Sequence, residues 1–265
     1  MKATPHRLPI SRLGSLMLLA GLCAAGCAGG HALTGEEESK IVLDRLNERR
    51  DSIQSAVYRV RWRAVGTEPH AEFILEIAYK APGRFRIVAT GPFGLPAFTA
   101  VVLGDDFTFV NHRDGRFITD DIANLIEYEF PVAEFFEGPW RDLFAGGWGG
   151  SHEVETLFRR EGSTHFSANS NNTEWALDWN RGHKAPSRLS ARVDGGAGNL
   201  RADVWFGGYS PHKPPFWRLD RLVLRTKEDQ GEHRWKIIKQ DYNIPVPDRF
   251  FSPLHAPPEW ERPRK

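Results

Sequence analysis

The sequence predicts an α+β protein that is mainly β: an N-terminal helix, a strongly curved antiparallel sheet, and a helical insertion. Three observations lead there. Apolar and charged residues alternate at period two through one segment after another, as in strands with one buried face. The chain holds 18 Pro and 25 Gly, and so many turn formers favour β structure over a helical bundle. Its 17 Phe and 9 Trp can fill a large core, which matters in a chain with only two cysteines. A sheet with one continuously apolar face must curl around something to bury it.

The elements follow in order. Lys2, Arg7 and Arg12 precede an apolar stretch, Leu13 to Leu22, and small residues Ala24-Ala25-Gly26 run up to Cys27. A basic leader, a short apolar core and a small-residue cleavage zone make a signal peptide. Ending on cysteine, it resembles a bacterial lipoprotein signal, in which the cysteine is lipidated and becomes the mature N-terminus; Ala24 stands where such signals carry Leu. An ordinary cleaved signal and an uncleaved anchor are the alternatives. Ala28 follows the cysteine without the Asp that, in the enteric rule, retains lipoproteins in the inner membrane, so the expected address is the outer membrane, facing the periplasm. The expected organisation is a signal peptide over 1–26, a lipidated tether over 27–35, one domain over 36–251 and a Pro- and charge-rich tail over 252–265.

Thr34 followed by Glu37 is a capping-box pattern that opens a helix running to about Ile53. Val42, Leu46 and Ile53 share one face, with Asp44, Arg45, Glu48 and Arg49 spread over the rest. Strands come next. Tyr58, Val60 and Trp62 alternate with Arg59, Arg61 and Arg63; Phe73, Leu75, Ile77 and Tyr79 oppose Glu72, Glu76 and Lys80; Phe85, Ile87 and Ala89 alternate with Arg84 and Arg86. The three arginines read as a solvated face paired with Glu72 and Glu76, not as a nucleic-acid patch, because no wider basic field accompanies them.

Gly91-Pro92-Phe93-Gly94-Leu95-Pro96 is a turn by its Gly and Pro, yet it carries two large apolar residues where a turn tip is ordinarily polar. Strands resume over 97–103, 106–111 (with Phe107 and Phe109) and 116–119. Asp120-Asp121 reads as the N-cap of a helical segment over 122–128. A second helical segment over 132–144, interrupted at Gly138-Pro139, presents Phe135, Phe136, Trp140 and Leu143. Further strands are expected near 165–170, 174–180, 187–193, 202–207, 218–225 and 234–240.

The formal net charge of +1 gives no global drive toward nucleic acid. No nucleophile elbow, phosphate loop, dinucleotide glycine motif or His-Glu-x-x-His helix occurs. His152, His165 and His183 are too widely spaced to read as one metal site. An enzyme is not expected, nor a cofactor or a metal.

Four motifs, together with the leader and the first helix, carry a family resemblance. They are Tyr79-Lys80-Ala81-Pro82-Gly83-Arg84-Phe85-Arg86, Gly91-Pro92-Phe93-Gly94, Gly115-Arg116-Phe117-Ile118-Thr119-Asp120-Asp121, and Trp140-Arg141-Asp142-Leu143-Phe144-Ala145-Gly146. In this order they resemble the LolB-type outer-membrane lipoprotein receptors, and 237–251 resembles the ending of the wider LolA/LolB superfamily. The stretch 151–234 departs from the receptor pattern.

The resemblance implies an incomplete half-barrel with a helical lid over an apolar cavity that takes the acyl chains of lipoproteins. Val60, Trp62, Phe73, Leu75, Ile77, Phe85, Ile87, Phe107 and Phe109 would line the cavity. Ile122, Leu125, Phe135, Phe136, Trp140 and Leu143 would belong to the lid. Phe93, with Leu95 beside it, would form a protruding loop that inserts into lipid; folding of Phe93 back onto the sheet is the alternative on turn chemistry alone. Implied partners are the bilayer, through acyl chains on Cys27, acylated lipoproteins and a periplasmic LolA-type carrier, with the protein itself a monomer. A binding module for another lipid, or a structural lipoprotein with a filled core, would show the same periodicity.

Overall fold

Alternating burial defines the strands. In the computed structural model, which describes residues 35–66, 71–122, 140–147, 156–160, 163–170, 173–193, 200–209, 216–225, 231–256 and 260, they are β1 (Ser55–Val65), β2 (Glu72–Lys80), β3 (Arg84–Thr90), β4 (Pro96–Leu103), β5 (Asp106–Asn111), β6 (Arg116–Asp121), β7 (Thr156–Arg160), β8 (Ser163–Ser170), β9 (Thr173–Asn180), β10 (Ala185–Val193), β11 (Leu200–Gly207), β12 (Arg218–Arg225) and β13 (Glu232–Tyr242). Two helices are described, α1 (Gly35–Ser52) and α2 (Trp140–Phe144). The chain divides into two compact units, Met1–Glu38 and Ser39–Lys265; of the first, only residues 35–38, the opening turn of α1, are described. Cys27, the tether before residue 35, Thr34, Leu125, Phe135 and Phe136 lie outside the described residues, as do the two expected helical segments over 123–139.

The thirteen described strands form one antiparallel sheet in the order β6-β5-β4-β3-β2-β1-β13-β12-β11-β10-β9-β8-β7. Two hairpin-connected runs, β1 to β6 and β7 to β13, are thus joined by the β1–β13 pair, and the sheet stays open between β6 and β7. The β6–β7 connection contains α2 and joins opposite edges of the sheet. Register shifts at Arg59/Val60, Ala89/Thr90, Pro186/Arg188 and Trp205/Phe206 mark bulges, which bend a sheet and sharpen its twist.

One side of the sheet is continuously apolar. A single row of register partners runs Phe73, Trp62, Trp235, Leu222, Val204, Leu189 and Leu177 from β2 across to β9. The apolar stripe of α1 faces the core with Val42, Leu46 and Ile53 buried. Leu143 and Phe144 of α2 are 1% exposed. The phenol of Tyr58 in β1 donates to the Phe144 carbonyl at 2.7 Å, and the two rings meet edge to face at 5.0 Å. Gly146 closes α2 at φ 90°, and a Cβ there would lie 2.6 Å from Ile53 Cδ1, so only glycine fits.

The expected helix and strands recur, with boundary shifts of a few residues, and three findings differ from expectation. Asp120 and Asp121 are the last residues of β6, in register with Phe107 and Asp106, because the ladder carries on past Thr119. β7 is an additional strand whose Leu157-Phe158-Arg159-Arg160 has no period-two alternation. Arg49, placed on the polar part of α1, is 1% exposed. The chain after β13, expected to belong to the domain as far as residue 251, crosses the outer side of β1, β2 and β3. There Lys80 and Arg84 each hold the Asp248 carboxylate at 2.8 Å, Arg86 donates to the Phe250 carbonyl, and Phe251 is buried.

Candidate functional site

Every residue expected to line an interior lies on the apolar side of the sheet. Val60, Trp62, Leu75, Ile77, Phe85, Ile87, Phe107 and Phe109 are buried, and Phe73 is partly buried against the same cluster. Period-two pleating puts them there, because each alternates with a polar neighbour. Phe73 stacks on Trp62 at 5.3 Å and meets Phe98 edge to face at 5.9 Å. Of the expected lid residues, Ile122 packs against this cluster and Leu143 is buried in it; Trp140 opens α2.

Two polar groups inside this apolar setting were not picked out from the sequence. The Trp62 indole N–H is buried and has no hydrogen-bond acceptor among the described residues. Such a donor costs about 1–3 kcal/mol while it stays unsatisfied. Arg49 Nη1 donates to the Gly146 carbonyl and Nε to the Trp217 carbonyl at 3.5 Å, and its guanidinium lies 5.4 Å from the Trp217 ring centre. No carboxylate partners it among the described residues. The signal was present in the spacing: position 49 falls three residues after Leu46 and four before Ile53, on the buried stripe. Burial pushes the Tyr58 phenol well above its ordinary range, with a further rise from Tyr242 against a lowering by Arg49, so it stays a neutral donor.

At the end of the sheet where β3 turns into β4, Pro92–Gly94 forms a single 3-10 turn. Phe93 at its tip is 100% exposed and Leu95 is 65% exposed. Phe93 does not fold back onto the sheet. It also adopts φ 65°, in the left-handed region that disfavours a bulky residue by about 1–2 kcal/mol. The turn is braced below the tip by Gly91 N–H to the Leu95 carbonyl at 2.8 Å and Gly94 N–H to the Gly91 carbonyl at 3.3 Å. A strained, braced backbone therefore presents an aromatic ring to solvent, a combination that marks functional loops.

The outer side of the sheet differs. A cleft of about 160 Å³ lies there beneath the C-terminal strap, walled by Val57, Ala78, Val88, Val246 and Phe250 with Glu76 and Arg86 at its edge. Arg61 and Arg63 both reach Glu72, at 3.5 and 2.7 Å, as expected. Arg59 faces Glu76 in register but makes no ion pair among the described residues. Also among these residues, no cluster of His, Cys, Asp or Glu is placed to hold a metal, and no helix is long and apolar enough to cross a membrane.

No protein-family model and no curated protein matches the sequence. Solved structures do match. A LolA-superfamily protein of Nitrosomonas europaea superposes with a TM-score of 0.55 at 10% identity, over 81% of this chain and 97% of that one. An outer-membrane lipoprotein-sorting protein domain of Vibrio parahaemolyticus gives 0.55 at 13% identity, over 83% and 97%. The fold is LolA-like. A DUF1329-family protein of Desulfovibrio piger shares it, with a TM-score of 0.54 at 8% identity over 82% and 96% of the two chains. At these identities the likeness extends to the LolA-like architecture and not to the ligand.

Proposed function

We propose that this chain is an outer-membrane lipoprotein, lipidated at Cys27, that binds the acyl chains of other lipoproteins and helps insert them into the outer membrane, as LolB-type receptors do. The observation that carries this reading is Phe93, fully exposed on a strained, braced turn at one end of an apolar-faced LolA-like sheet. The acyl chain occupies the apolar side of the sheet, where each buried methylene gains about 0.8 kcal/mol. Val60, Trp62, Phe73, Leu75, Ile77, Phe85, Ile87, Phe107 and Phe109 form its wall. Ile122, Leu125, Phe135, Phe136, Trp140 and Leu143 act as the lid. Phe93 and Leu95 dip into the bilayer, each contributing about 1.5–3 kcal/mol on full burial, and the lipid on Cys27 supplies the main anchor. The ester carbonyl at the head of the acyl chain accepts from the Trp62 indole, satisfying the buried donor.

Transfer of a labelled lipoprotein from the purified protein to liposomes tests the proposal. Phe93→Glu is expected to abolish transfer and leave the fold intact by circular dichroism. Unchanged transfer by this variant would remove the loop from the mechanism. Native mass spectrometry after gentle extraction tests the cavity itself: an acylated polypeptide supports a carrier, a free lipid reassigns the ligand, and no ligand with no transfer leaves a structural lipoprotein.

A further inference from the structure

The sequence shows Arg59, Arg61 and Arg63 as an isolated basic stripe, but sheet pairing sets it beside four more strands of the same character. β1, β13, β12, β11 and β10 are consecutive neighbours and together carry twelve Lys and Arg against four Asp and Glu, in a chain whose formal net charge is +1. The register aligns like charges. Arg61 lies opposite Lys236, which lies opposite Arg221; Arg63 lies opposite Arg234; Arg225 lies opposite Arg201, which lies opposite Arg192. Like charges directly opposite on one face destabilise a sheet. Ion pairs offset part of this repulsion: Lys236 reaches Asp220 at 2.6 Å, Lys239 reaches Asp241 at 2.9 Å, Arg225 and Arg234 reach Glu232, and Arg61 and Arg63 reach Glu72 in β2. The five strands still carry eight more Lys and Arg than Asp and Glu, a surplus available to an anionic ligand.

One buried carboxylate braces three of the arginines at once. Asp203, buried under the stems, takes Arg188 at 2.6 Å and Arg225 at 2.7 Å with Arg201 at 3.8 Å. Trp205 lies between two guanidinium groups, Arg221 at 4.0 Å and Arg188 at 5.5 Å from its ring centre. Arg59 and Arg221 form no ion pair among the described residues. The guanidinium groups around Asp203 and Trp205 are thus positioned, and the charge left over on this face includes Arg59 and Arg221.

We infer that the outer face of β1 and β10–β13 is an electrostatic docking surface for an anionic lipid bilayer. Three features select lipid phosphate as the partner. The cations spread over five strands and end on long, exposed side chains, which suits a fluid layer of headgroups and not one fixed anion. Their apolar company is Trp205 and the exposed Ile238, and an indole flanked by guanidinium groups belongs at headgroup depth. The residues outside these strands carry a net negative charge to offset the surplus, so an anionic surface draws this face inward and turns the rest of the chain away. The inference stands apart from the acyl-chain reading of the opposite side and does not require it.

The test is vesicle partitioning of the full chain carrying Cys27→Ser, so that no acyl anchor contributes and the leader is common to every arm. Phosphatidylcholine vesicles are compared with mixed phosphatidylcholine–phosphatidylglycerol vesicles. Arg59→Gln with Arg221→Gln is expected to lower partitioning into the anionic vesicles about 25-fold, at roughly fivefold per cation near the surface. Lys40→Gln with Arg113→Gln changes the net charge equally, away from these five strands, and is expected to lower it less than about twofold. Circular dichroism of both double variants controls for folding. Equal losses from the two pairs would overturn the assignment, as would equal partitioning of the parent chain into both kinds of vesicle. Retention on a polyglutamate resin that depends on Arg59 and Arg221, without preference for anionic vesicles, would also overturn it and make the face a protein-docking surface.

Discussion

Asp203 sits on the outer side of β11 and is still only 2% exposed, because arginine side chains close over it. Burial alone would push its carboxyl up, but hydrogen bonds from Arg188, Ser190 and Arg225 outweigh that and hold it below its ordinary value. The sign for stability follows. A carboxyl whose folded value lies below the unfolded value of about 3.9 contributes fully above that pH and loses its contribution as pH falls through the folded value. Asp203→Asn is therefore expected to cost about 2 kcal/mol at neutral pH, after allowance for the solvent-exposed arginines, and to flatten the fall in stability between about pH 5 and pH 3. Urea midpoints across that range check it. Trp62 gives a second prediction. If its buried N–H takes an ester carbonyl, Trp62→Phe should weaken binding of an ester-linked diacyl lipid about fivefold and leave the ether-linked analogue unchanged, as read by titration of the two lipids. At this scale sequence periodicity located the residues of the apolar side, Trp62 among them, but could not say which of their polar atoms lack partners. That depends on neighbours such as Phe73 and His233, 11 and 171 positions away along the chain.

Strands were legible wherever one face is apolar and the other charged. β1, with Tyr58, Val60 and Trp62 set against three arginines, is the clearest case. β7 was not, because Leu157-Phe158 and Arg159-Arg160 break the period. The Pro92–Gly94 turn was legible in another way: Gly and Pro marked it, and two apolar residues at its tip set it apart. What the sequence left open was whether Phe93 tucks in or projects, since solvent exposure and the backbone conformation are settled by the bracing hydrogen bonds. This turn can separate stability from function. Phe93→Gly removes the left-handed strain but loosens the unfolded chain, so it is expected to stabilise the domain by about 0.5 kcal/mol. The same change deletes the ring that would enter lipid, so lipoprotein transfer should fall sharply. A thermal melt and the liposome assay on one preparation check both halves; a variant that loses stability in step with transfer would argue that Phe93 serves packing.

Across the whole molecule the sheet order decides what charge does. Arg59 to Arg63 belong to the first strand and Arg188 to Lys239 to the last four, and only the β1–β13 pairing brings them together. No local pattern carries that information, which is why a wider basic field was not expected from the sequence. The ladder imposes like-charge neighbours on the sheet, ion pairs such as Lys236–Asp220 offset part of the repulsion, and dissolved salt should relieve the surplus that remains. The Debye length shortens from roughly 30 Å at about 0.01 M to about 8 Å at about 0.15 M, a range too dilute for salt to strengthen apolar burial appreciably. Within it, the melting temperature of the parent chain is expected to rise with added sodium chloride. Chains whose attractive surface pairs dominate show the opposite slope, because screening then removes a favourable term. In the Arg59→Gln, Arg221→Gln variant two repelling cations are gone, so the melting temperature at low salt should already be higher and the gain on adding salt smaller. The two effects are coupled: relief of the repulsion and loss of affinity for anionic vesicles should appear in the same protein, because one set of positive charges opposes folding and attracts lipid phosphate.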